Sequence, residues 1–79
     1  MKIKVGVLFG GRTTEHEVSI ISGVQAMEHL NKEKYEVIPI YVTKDNEWYI
    51  EEPLKEMSIY NDMELLKRYC KNVVLYKKN

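Results

Sequence analysis

Three ionisable side chains that could do chemistry follow one another at Glu15, His16 and Glu17. They come just after an apolar segment that ends in Gly10 and Gly11. A carboxylate at such a strand-to-helix junction can pair with an ammonium group. The carboxyl ends of strands are also where open α/β sheets bind small molecules. The junction is therefore the first candidate for a functional site.

The two carboxylates and the histidine have structural interpretations beside the functional one. Thr14 and Glu17 have the spacing of a capping box, which predicts that Glu17 serves the start of a helix. Glu15 either complements the helix dipole or holds a ligand ammonium group, and spacing alone favours the dipole. His16 lies between two carboxylates, and we expect it to face solvent.

Other kinds of site find little support in the sequence. The glycines at 6, 10 and 11 do not match the register Gly-x-Gly-x-x-Gly, and no Gly-Lys-Ser/Thr follows, which argues against a dinucleotide or phosphate loop. Two separated histidines and one cysteine give no metal-ligand spacing, so we expect no metal site. The cysteine, Cys70, is expected to be buried on a helix and inert.

The first two elements are needed to position the junction. Alternating and then continuous apolar residues predict a strand over residues 3–9, ended by the two glycines. A helix with one apolar stripe follows and should end near Asn31; the stripe consists of Ile20, Val24, Met27 and Leu30. Small residues beside this stripe, Gly23 among them, should let the helix approach the sheet closely.

The rest of the chain predicts two more strands, a short helix and a last strand. The strands cover residues 35–42 and 47–50, and a polar connection follows over 51–60. Asn61 with Glu64 offers a cap for the short helix, and residues 73–76 form the last strand. The order β-α-β-β-α-β predicts an α/β domain with a small, mostly parallel sheet.

Length, composition and charge narrow the class of protein further. Seventy-nine residues fit one small domain, and equal numbers of acidic and basic side chains, 12 of each, give no basic face for nucleic acid. No apolar run is long enough to span a bilayer, and the N-terminus does not resemble a signal peptide. We therefore expect a cytoplasmic protein with neither nucleic-acid nor membrane partners.

The segment from Val7 to Ser19, followed by residues 20–23, closely resembles the N-terminal signature of D-alanine–D-alanine ligases. Residues 35–37, 41–45 and 47–49 are similar to the second strand and hairpin of the same family, so that the resemblance covers residues 3–50 well. It implies a three-layer, Rossmann-like pre-ATP-grasp fold. One departure is Thr13, where many relatives carry serine.

This resemblance implies a reaction and roles for three residues. These ligases phosphorylate one D-alanine with ATP and Mg²⁺, and the amine of a second D-alanine then attacks the acyl phosphate to make the dipeptide of peptidoglycan. By resemblance, Glu15 holds the ammonium group of the first D-alanine, Val18 lies close to the same subsite, and Ser19 fixes the loop and helix start. The full-length enzyme is expected to be a homodimer.

The family's His-Gly-x-x-Gly-Glu-Asp-Gly segment and both ATP-grasp domains are absent from these 79 residues. The resemblance therefore implies that residues 1–79 are an N-terminal substrate-binding domain, inactive alone and without its own ATP or magnesium site. Two alternatives stay open at this point. One is a non-catalytic α/β binding module on the same scaffold. The other is an unrelated nucleotide-binding half-domain, which the glycine register disfavours.

Overall fold

The computed structural model describes residues 1–74, in which strands and helices alternate in the predicted order. The connection between the third strand and the second α-helix contains two 3-10 helices, Glu52–Lys55 and Met57–Asn61. The remaining elements are β1 Ile3–Gly10, α1 His16–His29, β2 Tyr35–Val42, β3 Trp48–Ile50, α2 Met63–Tyr69 and β4 Lys71–Val73. The expected strand 73–76 therefore begins and ends earlier, and residues 75–76 lie outside the described part.

The four strands form one sheet in the order β1-β2-β3-β4 within the described residues. β1 and β2 pair in parallel along their whole length, from Ile3 opposite Tyr35 to Gly10 opposite Val42. The pairs β2–β3 and β3–β4 are antiparallel. The α/β class is confirmed, but the sheet is mixed, and the expectation of mostly parallel pairing holds only for its first pair. The link from β2 to β3, residues 43–47, is too short for the crossover that parallel strands need.

The core lies on one face of this sheet. Alternation along the strands gives their buried residues one shared face, and residues from both helices and the first 3-10 helix pack against it. The cluster is formed by Phe9, Ile20, Val24, Met27, Val37, Tyr41, Tyr49, Leu54, Leu66 and Cys70. On the opposite face Leu8 is 59% exposed, and Ile38 and Ile40 are half-buried. The described residues thus form two layers, and the expected third layer is not among them.

Helix α1 lies directly on β1 at Gly23. A Cβ atom at this position would lie 2.6 Å from Cγ and 2.7 Å from Cβ of Phe9. These Phe9 atoms are close to the backbone and cannot swing away, so any larger residue would push the helix off the strand. The prediction that Gly23 permits close packing is confirmed.

Both helices begin differently from the predictions. The N-cap of α1 is Glu15, which makes no side-chain capping bond, so the capping box from Thr14 to Glu17 is wrong. The backbone turns earlier, because the Thr13 hydroxyl accepts from the Glu15 amide at 3.3 Å and the Thr13 carbonyl accepts from the His16 amide at 3.2 Å.

The cap of α2 is Asp62 and not Asn61. One carboxylate oxygen of Asp62 accepts from the amides of Glu64 and Leu65 at 3.1 and 3.3 Å. Asn61 does not cap α2 because it is the last residue of the second 3-10 helix, and Asp62 is the residue that directly precedes α2.

Candidate functional site

The candidate site is the junction loop, residues 10–16, which leads from β1 into α1. Its first turn depends on glycine, since Gly10 and Gly11 have φ angles of 87° and 97°. A Cβ atom at Gly10 would lie 2.4 Å from the carbonyl oxygen of Val42. Any side chain at Gly10 would therefore separate the loop from β2.

Hydrogen bonds hold the start of the junction loop to its two neighbours. The Gly11 amide donates to the carbonyl oxygen of Val42 at 2.8 Å, which fixes the loop to β2. The Gly10 amide donates to the hydroxyl of Ser19 at 2.9 Å, which fixes it to the first turn of α1. This contact agrees with the loop-fixing role expected for Ser19. A contact of Ser19 with a ligand stays a prediction.

His16 is buried beneath the junction loop and is hydrogen-bonded to its backbone. Its side chain is only 4% exposed, with Nδ1 2.5 Å from the carbonyl oxygen of Gly11 and Nε2 2.7 Å from the hydroxyl of Tyr41. The ring also meets the Tyr41 ring edge-on, with centroids 5.6 Å apart. The expectation that His16 faces solvent is wrong, because the first turn of α1 lies over the end of β2.

A signal for this burial was present in the sequence. His16, Ile20, Val24 and Met27 are spaced by four, four and three residues, so His16 continues the apolar stripe by one turn towards the N-terminus. All four residues are buried. The carboxylates of Glu15 and Glu17 flank His16, so the extra turn of the stripe does not form part of an apolar run.

Two tyrosines complete the buried wall beside His16. The rings of Tyr41 and Tyr60 meet edge-to-face with centroids 5.1 Å apart, and the Tyr60 hydroxyl donates to the carbonyl oxygen of Leu54 at 2.5 Å. Burial raises the pKa of Tyr41, and burial together with the nearby Tyr41 raises the pKa of Tyr60. Both hydroxyls therefore stay protonated and available as donors. The sequence had placed Tyr60 in a polar connection, and nothing there indicated this packing.

The three predicted site residues lie at the start of α1, Glu15 as its N-cap and Val18 and Ser19 in its first turn. Val18 and Ser19 follow Glu15 by three and four positions, a spacing that puts both on the same side of a helix as Glu15. Glu15 is exposed, Val18 is 59% exposed and Ser19 is half-buried. The amide of Ser19 donates to the carbonyl oxygen of Glu15 at 2.9 Å, so the start of the helix fixes the backbone of Glu15.

A cleft of about 370 Å³ lies beside the junction loop, but it does not contain the predicted residues. His16 and Tyr41 contribute to its wall, and Glu17, Lys44 and Asp45 are among its charged lining residues. Glu15, Val18 and Ser19 do not line it. The predicted site is therefore an exposed surface of the described chain and not an enclosed pocket.

Other chemistry has few candidates in residues 1–74. This part of the chain holds no group of three or more His, Cys, Asp or Glu side chains placed to bind a metal ion. Cys70 is buried, and burial raises the pKa of its thiol, which makes it a poor nucleophile. Among the same residues, no helix has the length and apolar character needed to cross a membrane.

Similar solved structures share this fold across nearly the whole chain. VanG, a D-Ala:D-Ser ligase from Enterococcus faecalis, superimposes with a TM-score of 0.81 at 34% identity. The matched part is 96% of this chain and 22% of the VanG chain. The D-alanine-D-alanine ligase from Coxiella burnetii gives a TM-score of 0.79 at 26% identity and covers 95% of this chain and 22% of its own.

Curated relatives agree in sequence. The D-alanine--D-alanine ligase of Thermosipho melanesiensis is 34% identical over 71 residues, which are 90% of this chain and 20% of that protein. The ligase of the same name from Caldicellulosiruptor bescii is 57% identical over 49 residues, 62% of this chain and 14% of that protein. The chain thus spans a fifth or less of the length of these two relatives.

A family model described as the D-ala D-ala ligase N-terminus matches residues 4–77. This match includes the junction loop, α1 and, except for Ile3, the strands of the described sheet. The chain therefore belongs to the D-alanine–D-alanine ligase family, of which it matches the N-terminal region.

Proposed function

We propose that residues 1–79 form the N-terminal substrate-binding domain of an ATP-dependent ligase that joins two D-alanines for peptidoglycan synthesis. In this proposal, the carboxylate of Glu15 holds the ammonium group of the first D-alanine, and Val18 and Ser19 border the same subsite. The observation that carries it is the position of Glu15. This exposed carboxylate starts α1 beside the glycine turn, within the segment that the family model matches.

The chemistry of the first step suits a carboxylate in this position. D-alanine carries an ammonium group and a carboxylate, and the reaction requires the carboxylate to meet ATP. When Glu15 pairs with the ammonium group, the substrate carboxylate is directed away from the loop and keeps one orientation. Glu15 thus contributes binding and alignment, and it transfers no proton in this step.

An exposed carboxylate cannot by itself bind an ammonium group tightly in water. An ion pair on a protein surface contributes only about 0–1 kcal/mol, because water screens both charges. The described residues leave Glu15 exposed, so tight binding requires other parts of the ligase to exclude water from the pair. This requirement supports the proposal that the chain supplies one side of an active site.

ATP and Mg²⁺ would supply and polarise the phosphoryl group in the complete enzyme. The described residues do not fit these groups: they offer no cluster of metal ligands, and the glycine register is not that of a phosphate loop. We assign the ATP and magnesium sites to the parts of the ligase beyond this chain. The complete enzyme is proposed to be a cytoplasmic homodimer.

A comparison of the full-length protein with the 79-residue chain tests the proposed function. Full-length protein given D-alanine, ATP and Mg²⁺ should release ADP in step with D-alanyl-D-alanine, and the chain alone should release none above the blank. Failure of the full-length protein to form dipeptide would contradict the ligase assignment. Binding of D-alanine by the full-length protein without ADP release would favour the non-catalytic module instead.

A further inference from the structure

We propose that His16 is a positioning residue, which closes the junction loop so that Glu15 is held in place before the substrate arrives. This inference rests on the proposed function, because it gives Glu15 its role. His16 itself touches no substrate. It acts through the backbone of the loop that carries the carboxylate.

The geometry of the loop carries the proposal. The bond between Nδ1 of His16 and the carbonyl oxygen of Gly11 joins the two ends of residues 11–16, and Glu15 lies inside the closed loop. The amide of Gly11 is bonded in turn to Val42 of β2. Both sides of Gly11 are thus held, one by the histidine and one by the sheet, and the chain between Gly11 and His16 has little freedom left.

Tyr41 joins this closure to the end of β2, an inner strand of the described sheet. A carbonyl oxygen only accepts hydrogen bonds, so Nδ1 carries the hydrogen and donates to Gly11. In the neutral ring, Nε2 then accepts from the hydroxyl of Tyr41, which lies on β2 and is 2% exposed. One tautomer satisfies both bonds, and it fixes the ring against rotation.

Pre-organisation matters here because Glu15 is exposed. A mobile loop would lose backbone freedom each time its carboxylate closed on an ammonium group, and binding would be weaker by that cost. A loop closed by His16 has lost this freedom during folding. Removal of the closure should therefore weaken binding of the first D-alanine and leave ATP binding unchanged.

Two conservative variants of the full-length ligase separate the closure from simple packing. His16→Asn keeps an amide nitrogen in the place of Nδ1 and can still donate to Gly11. His16→Gln moves the amide one bond further, towards Tyr41, and cannot. His16→Gln should raise the KM for the first D-alanine about five- to tenfold at constant KM for ATP. His16→Asn, although smaller, should stay within about twofold.

The matched control is the other histidine of the same helix. His29 is exposed, and its Nδ1 is bonded to the carbonyl oxygen of Gln25 within α1. His29→Gln should leave both KM values within about twofold. Equal effects of His16→Asn and His16→Gln, or a rise in the KM for ATP in step with that for D-alanine, would overturn the proposal in favour of a packing role.

A second measurement tests the closure without the ligase reaction. In protein labelled with ¹⁵N-histidine, the NMR shifts of His16 should show a hydrogen on Nδ1 and a hydrogen-bond acceptor at Nε2. Tyr41→Phe should move the Nε2 signal and leave the Nδ1 signal in place. A hydrogen on Nε2 of a neutral ring would overturn the closure.

The two proposals fail in distinguishable ways. If the wild-type ligase forms no dipeptide, or if Glu15→Gln leaves the KM of the first D-alanine unchanged, the proposed function fails and the substrate part of this inference fails with it. If Glu15→Gln raises that KM but His16→Gln does not, the function stands and the positioning role of His16 is wrong.

Discussion

Single residues with short side chains decide how each helix of this domain begins. Thr13 forms the turn before α1, and Asp62 caps α2 with two hydrogen bonds from one carboxylate oxygen. Neither is the residue that the capping pattern selected. In both cases the true residue is one position away from the predicted one, because the preceding turn fixes where the backbone first becomes helical.

The cap of α2 gives a stability prediction at this scale. Asp62→Ala should lower the free energy of unfolding by about 1 kcal/mol, because two amides of the first turn lose their acceptor. Asn61→Ala, its neighbour and matched control, should change it by less than about 0.5 kcal/mol. Urea denaturation followed by circular dichroism measures both. A larger loss for Asn61→Ala would contradict the cap seen in the structure.

The residues of the junction loop were only partly predictable. The place of Glu15 at the junction makes it a candidate from the residues alone, and the family resemblance adds Val18 and Ser19 at helical spacing from it. The burial of His16 was readable from the apolar stripe, but its partners were not. The bonds from His16 to Gly11 and Tyr41 depend on where the first turn of α1 lies relative to the end of β2. This position is a tertiary feature, and no local sequence pattern predicts it.

At the scale of elements, the packing of α1 on β1 brings the loop, the helix start and the sheet edge together. Strands and helices were predictable where apolar periodicity is strong, as in β1, α1 and β2. The direction of strand pairing was less predictable. β3 pairs antiparallel with β2 after the five-residue link over 43–47. Such a link permits a hairpin and excludes a crossover.

Gly23 provides the matching test of element packing. Gly23→Ala should destabilise the domain by about 1–3 kcal/mol, although alanine favours helix by about 1 kcal/mol, because its Cβ would overlap the first atoms of the Phe9 side chain. Ser22→Ala at the adjacent exposed position gains the propensity without the overlap and should be neutral or stabilising. Thermal unfolding of both variants decides between them. Stabilisation by Gly23→Ala would contradict this account, because it would show that a Cβ atom fits between α1 and Phe9.

At the scale of the whole molecule, the described chain packs on one face of its sheet and leaves the other without a covering layer. The predicted third layer came from the family resemblance, which describes far longer proteins. The chain matches only 14–22% of the length of the relatives and solved structures compared with it. Local sequence cannot state which elements of a larger protein lie against a given face.

The two faces should respond differently to the loss of an apolar side chain. In the 79-residue chain, Leu54→Ala should lower the free energy of unfolding by about 2–5 kcal/mol, because Leu54 is 0% exposed within the core. Leu8→Ala, the same change on the opposite face at 59% exposure, should cost less than about 0.5 kcal/mol. Urea denaturation measures both. Similar losses would mean that the second face is covered in solution.

The most direct test of the central claim compares two carboxylates at the start of α1 in the full-length ligase. Glu15→Gln keeps the size of the side chain and removes the charge that would hold the substrate ammonium group. It should raise the KM for the first D-alanine by about tenfold or more, since a hydrogen bond to a charged group contributes about 1.5–3 kcal/mol. Glu17→Gln, two residues away and also exposed, should leave that KM within about twofold. An unchanged KM for Glu15→Gln, or equal rises for both variants, would contradict the assignment of Glu15 to the substrate.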